Sequence, residues 1–75
     1  MNQEFDSLSQ ERQAAVRRVI QRALAEPHAG TRSEMLADGS EAYAYPGARG
    51  THWGVNRASD GFNVKRGIWP KDQPA

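Results

Sequence analysis

A chain of 75 residues with 37% hydrophobic residues, 25% charged residues and a net formal charge of +1 fits one small folded domain, residues 1–75. The absence of cysteine excludes a disulfide framework and a cysteine-based zinc site. Because the sequence has no apolar stretch long enough for a signal peptide or a membrane span, we expect a cytoplasmic protein with no membrane contact.

The first predicted element is a helix over residues 9–25, which follows an N-terminal arm of residues 1–8. Ser9 suits the N-cap of this helix, although Ser7 offers an alternative start two residues earlier. Pro27 ends the pattern because proline disfavours a helical conformation in the residue before it. The apolar stripe of the helix has the spacing i, i+3, i+4, i+7 and i+8, with Val16, Val19, Ile20, Ala23 and Leu24.

After the helix, the pattern changes toward the period of two that is typical of strands, and it predicts a β-meander over residues 33–69. Asp38-Gly39 is a strong hairpin signal. Residues 33–37 fit either the first strand of that hairpin or one helical turn. Pro46-Gly47 predicts a type II turn, and residues 70–75 form a polar tail.

Two alternating faces compete for the core in the strand that follows Gly39. Tyr43 and Tyr45 share one face with Glu41, whereas Ala42 and Ala44 share the other. Buried area favours the tyrosine face as the core. Alternatively, the small alanines allow close packing of the helix and leave the tyrosines outside as binding residues.

The stretch THWGVNRASDGFNVKRG, residues 51–67, predicts a hairpin with a loop over residues 58–61. We expect the cross-strand pairs Arg57 with Phe62, Val55 with Val64 and Trp53 with Arg66. This register places the apolar side chains on the helix and Arg66 over the Trp53 ring as a cation–π pair. The predicted fold class is therefore α+β, with an N-terminal amphipathic helix packed on a small three- or four-stranded antiparallel β-meander.

The other face of this hairpin is polar and available for contact with a partner. It carries hydrogen-bonding side chains, and Trp69 beyond it either fixes the C-terminus or serves as an exposed anchor. The predicted partner-binding residues are Arg49, His52, Asn56, Asn63, Lys65 and Trp69. A weak homodimer, formed by edge-strand pairing or helix packing, is also expected.

Basic residues are concentrated toward the C-terminus, where residues 47–71 contain five of them and one acid, Asp60. Such asymmetry indicates either a nucleic acid or an acidic protein surface as partner. The alternative, nucleic-acid-binding set consists of Arg49, Arg57, Lys65, Arg66 and Lys71.

Catalytic chemistry has little support in this sequence. The only two histidines, His28 and His52, lie far apart without cysteine, so we expect no metal site and no cofactor. No nucleophile-elbow or phosphate-loop motif is present, and we expect a protein that is not an enzyme. This small, motif-poor α+β form is common among phage and mobile-element regulators. We therefore expect stoichiometric binding to a larger protein or nucleoprotein, as with anti-CRISPR-type inhibitors; weak nucleic-acid binding is the alternative.

Overall fold

Helices come first in the chain and an antiparallel sheet follows. The computed structural model describes residues 3–57 and 59–75, so Ala58 of the predicted loop lies outside the described residues. The elements are α1 (Gln3–Asp6), α2 (Gln10–Ala25), β1 (Arg32–Met35), β2 (Ser40–Pro46), β3 (Gly50–Arg57) and β4 (Asn63–Pro70). The strands pair antiparallel in the order β1-β2-β3-β4, and α2 packs on this sheet. The predicted α+β class is confirmed, with the meander in its four-stranded form.

The long helix α2 begins and ends where the sequence signals place it. The Ser9 side chain accepts a hydrogen bond from the backbone N–H of Arg12 at 3.3 Å, as an N-cap does. Ala25 is the last helical residue before Glu26-Pro27. The buried face comprises Ala15, Val16, Val19, Ile20 and Ala23. Leu24, which was predicted to join this stripe, is 53% exposed because it lies at the rim of the face, in the last turn.

The first hairpin resolves the ambiguity of residues 33–37 in favour of a strand. Ser33 pairs with Tyr43 across β1 and β2. Gly39 has φ +88°, a left-handed conformation that glycine adopts without strain, and the Asp38 carboxylate accepts the backbone N–H of Ser40 at 2.9 Å. The Asp38-Gly39 hairpin is therefore confirmed.

The interior of β2 is lined by alanine, so the expectation that Tyr43 and Tyr45 form the core is wrong. Ala42 and Ala44 are fully buried against α2, whereas Tyr45 is 40% exposed on the opposite face. The physical reason is the distance between α2 and the sheet. Small side chains on β2 let the helix approach closely, and larger side chains from the other strands fill the core.

The second reversal lies between β2 and β3, slightly later than predicted. β2 extends through Pro46, and the backbone N–H of Gly47 donates to the carbonyl of Gly50 at 2.8 Å. Arg49 is exposed at this tip. Gly50 has φ +152° and lies so close to the Trp69 carbonyl that an added Cβ would overlap it.

A β-bulge changes the predicted register of the last hairpin. Near the turn the predicted register holds, because the Arg57 N–H donates to the Phe62 carbonyl at 2.8 Å. Val64 is then the extra residue, and Val55 pairs with Lys65 instead of Val64. Every later residue of β4 consequently faces the side opposite to the prediction.

The structure corrects three further predictions for this hairpin. Gly67, rather than Arg66, lies opposite Trp53, so the predicted Arg66–Trp53 cation–π pair is wrong. Phe62 is 58% exposed instead of buried, and the Arg57 guanidinium lies 4.8 Å from its ring centroid. Val64 is half-buried.

The N-terminal arm contributes to the core, which the sequence analysis did not predict. Phe5 lies edge-on to Trp53, with ring centroids 5.9 Å apart, and to Trp69, with centroids 5.0 Å apart. Glu4 forms an ion pair with Lys65 at 3.2 Å, which links α1 to β4. The arm thus closes the helix side of the sheet at β4.

Candidate binding face of the sheet

The sheet face opposite α2 is here called the outer face, and its residues form three rows across the strands. In the middle row Tyr43 pairs with Gly54, which pairs with Arg66. The row on one side of it contains Tyr45, His52 and Ile68. The row on the other side contains Glu41, Asn56 and Asn63. The face therefore combines aromatic, aliphatic, amide and charged groups on one surface.

An aromatic stack runs along the middle of the outer face. The Tyr43 and Tyr45 rings are nearly parallel with centroids 6.4 Å apart, and the His52 ring stacks on Tyr45 at 4.9 Å. Gly54 provides the space for this arrangement, because a Cβ at this position would overlap the Tyr43 ring. We call the two tyrosines and His52 the aromatic ridge.

Two of the predicted binding residues hold the ridge in place. The Asn63 side-chain amide donates to the side-chain Oδ1 of Asn56 at 2.8 Å and to the Tyr43 hydroxyl at 3.2 Å. His52, Asn56 and Asn63 were all predicted on this face, and the structure brings them together there. The amide bridge restricts Tyr43 and preorganises the surface for contact.

Shallow grooves flank the tyrosines on both sides. The β4-side groove has a volume of about 370 Å³ and is lined by Tyr45, His52, Arg66 and Ile68 above the Gly67 position. The β1-side groove has a volume of about 320 Å³ and is lined by Thr31, Ser33, Glu41, Tyr43, Tyr45 and Asn56. The outer face is thus corrugated, with a ridge between two depressions.

The two charges of the outer face remain available to a partner. Within residues 3–57 and 59–75, neither Glu41 nor Arg66 forms an ion pair. Arg66 is exposed and Glu41 is half-buried. Arg66 borders the β4-side groove and Glu41 borders the β1-side groove, so each groove has one charged residue at its edge.

The alternative basic set does not form a continuous surface. Arg57 is paired with Asp60 at 3.0 Å, and Lys65 is paired with Glu4. Lys65 lies opposite Val55 on the helix side of the sheet, whereas Arg66 faces outward. Arg49 and Lys71 are both exposed, at the β2–β3 tip and after β4 respectively. These cations therefore do not lie together on one face.

Trp69 belongs to the core and is not available as an exposed anchor. The side chain is 2% exposed, and its indole N–H donates to the Gln73 carbonyl at 3.0 Å. The Arg17 guanidinium lies 5.7 Å from the ring centroid. The bulge at Val64 turns Trp69 inward, so its place among the partner-binding residues is not supported by its position.

The arginines of α2 are engaged by a carboxylate on β1. Arg18 donates to both oxygens of Glu34, at 3.0 and 3.1 Å, and Arg22 approaches the same carboxylate at 3.5 Å. The hydrogen bonds from Arg18 lower the pKa of the Glu34 carboxyl below its ordinary value. This pairing weakens any positive field on the helix, which agrees with a solvated helix face.

Sequence reasoning omitted Ile68 and Glu41 from the candidate site and favoured an inward position for the tyrosines. Ile68 was missed because its orientation depends on the bulge. The Ala42/Ala44 alternation was the available signal for outward-facing tyrosines.

Comparison of the chain with known protein families, with curated proteins and with solved structures finds no match. Among the residues that the structure describes, no group of three or more histidine, cysteine or acidic side chains is positioned to hold a metal ion. In the same part of the chain, no helix is long and apolar enough to cross a membrane.

Proposed function

We propose that this chain is a small non-enzymatic binding protein that docks on a larger protein or nucleoprotein through the outer face of its sheet. The observation that carries this proposal is the uncovered aromatic ridge. Tyrosine and arginine are the side chains that most often supply binding energy at protein interfaces, and here they lie beside the exposed Ile68. The amide bridge to Tyr43 further supports a surface preorganised for contact.

A protein partner fits this face better than a nucleic acid does. Protein interfaces are depleted of charge at their centre and enriched in aromatic residues, and the outer face has one acid and one base beside its ridge. A phosphate backbone requires several aligned cations. Arg57 and Lys65 are each paired with a carboxylate, which argues against the nucleic-acid alternative.

The proposed mode of action is stoichiometric. A domain of this size that has one contact face acts by occupying a surface of a larger protein, so it blocks or alters that protein's activity. Small phage and mobile-element regulators and anti-CRISPR-type inhibitors act in this way, and we propose the same class for this chain. The proposed location is the cytoplasm, which a cysteine-free sequence fits.

The test is capture of a partner from a lysate of the native cell, with and without nuclease treatment. Tyr45→Ala removes part of the ridge, and Leu24→Ala is the matched control because Leu24 is also exposed but lies on α2. We expect the same protein to be captured with and without nuclease, by the control but not by Tyr45→Ala.

Two results would contradict the proposal. Loss of all captured material after nuclease would favour the nucleic-acid alternative. Equal capture by Tyr45→Ala and by wild type would place the contact on another surface. Far-ultraviolet circular dichroism of both variants confirms that each is folded before capture.

A further inference from the structure

The outer face is electrostatically complementary to itself. Glu41 lies on β2 and Arg66 lies on β4, with β3 between them, and within the described residues neither charge has an ion-pair partner. A two-fold axis that lies in the plane of contact, passes midway between these residues and is perpendicular to the line joining them places Glu41 of each copy opposite Arg66 of the other. Such an isologous contact forms two equivalent ion pairs at once.

We propose that two copies of this chain associate through their outer faces, with reciprocal Glu41–Arg66 pairs. The shape of the face supports this occupant, because the aromatic ridge stands between two grooves, with the Tyr43 ring lying over Gly54. A ridge from one copy can therefore enter a groove of the other, so that Tyr45 and Ile68 become covered.

The size of the face limits the strength of this dimer. Four strands spaced about 4.8 Å apart and three rows of side chains give a contact of about 20 Å by 20 Å. This is smaller than the roughly 800 Å² per partner of a standard stable interface. The dimer is consequently weak and in rapid exchange with the monomer.

Self-association has a regulatory consequence that rests on the proposed function. Because the dimer and the partner complex use the same face, each excludes the other. At high concentration the chain is then mostly dimeric. A partner that binds the monomer more tightly than a second copy does shifts the equilibrium from the dimer to the partner complex by mass action.

The experiment is sedimentation equilibrium of the full chain at low ionic strength, up to about 1 mM, where an interface of sub-standard size still associates. Glu41→Arg and Arg66→Glu each replace two attractive contacts by two repulsive ones. We expect each single variant to weaken dimerisation about tenfold or more. The double variant Glu41→Arg/Arg66→Glu restores it, since the pairs are re-formed with exchanged signs.

Mixing the two single variants gives the most specific result. Each variant alone dimerises more weakly than the wild type, but the heterodimer contains two attractive pairs, so the mixture is expected to associate as strongly as the wild type. Lys71→Glu and Asp72→Arg are the controls, because they change exposed charges that lie after β4 and outside the outer face. We expect them to leave the dimerisation constant unchanged within about twofold.

A wild-type chain that stays monomeric throughout the concentration range would overturn the proposal. It would also be overturned if the single variants dimerise normally or if their mixture fails to associate. These outcomes are distinguishable from failure of the proposed function. A chain that captures its partner through Tyr45 without dimerising contradicts only the dimer, whereas a dimer whose Tyr45→Ala variant still captures the partner contradicts only the proposed function.

Discussion

Replacement of Trp69 by alanine separates a core role from a binding role. The indole is 2% exposed, contacts Phe5 edge-on at 5.0 Å and donates to the Gln73 carbonyl. Truncation of a buried tryptophan to alanine removes about 3–5 kcal/mol of the free energy of unfolding. A domain of this length has about 4–11 kcal/mol in total, so we expect Trp69→Ala to lose about a quarter or more of its stability.

The assay is urea and thermal unfolding followed by circular dichroism, with Trp69→Phe as the control that retains most of the packing. A loss of about 3 kcal/mol lowers the Tm of a domain of this size by about 12 °C or more. The core assignment would be refuted if Trp69→Ala lost less than about 1 kcal/mol, within the range of exposed substitutions. It would also be refuted if Trp69→Ala kept its stability but no longer bound the partner.

Three other predictions concern packing, pH and the ridge. Ala44→Leu inserts extra carbons between α2 and the sheet, so urea unfolding should give a stability about 1–3 kcal/mol lower; an unchanged midpoint would contradict the close contact. The lowered pKa of the Glu34 carboxyl stabilises the fold above the ordinary carboxyl pKa, and this contribution is lost as the pH falls through the folded pKa. Glu34→Gln should therefore reduce the loss of stability on acidification below the ordinary carboxyl pKa, and an unchanged acid dependence would contradict the Arg18 pair. Gly54→Ala displaces the Tyr43 ring on an open face, so the unfolding transition should persist while NMR shifts change along the ridge; a native ridge spectrum would contradict the packing.

The sequence specified α2 almost completely because its signals are local. Ser9, Pro27 and the apolar spacing each act within one or two helical turns, so no tertiary information was needed. The same holds for the Asp38-Gly39 hairpin, whose turn residues adopt the required backbone conformation themselves. These elements depend on short-range interactions that a sequence displays directly.

The register of β3 and β4 could not be predicted because a distant residue decides it. Pairing Val55 with Val64 maximises apolar contact near the turn but turns Trp69 toward solvent. The bulge instead turns Trp69 into the core. Burial of roughly 200 Å² of indole at about 25 cal/mol per Å² contributes about 5 kcal/mol to the free energy of unfolding. This gain exceeds the roughly 0.2–1 kcal/mol that a cross-strand pair such as Val55 with Val64 contributes.

The candidate site was predicted in part. His52, Asn56 and Asn63 lie on the outer face as expected. His52 and Asn56 follow the alternation of β3, and Asn63 precedes the bulge in β4, so the change of register does not affect them. The tyrosines were assigned inward because side-chain area was compared without the approach distance of α2. Phe5 was left in an arm because a four-residue helix is too short to display a period.

The central claim is that the outer face is the contact surface, and the dissociation constant of the captured partner tests it most directly. Ile68→Ala and Leu24→Ala remove the same number of carbon atoms from exposed positions on the outer face and on α2. We expect Ile68→Ala to weaken binding about tenfold and Leu24→Ala to change it by less than about twofold. Equal effects of the two variants, or a larger effect of Leu24→Ala, would contradict the assignment of the contact to the outer face.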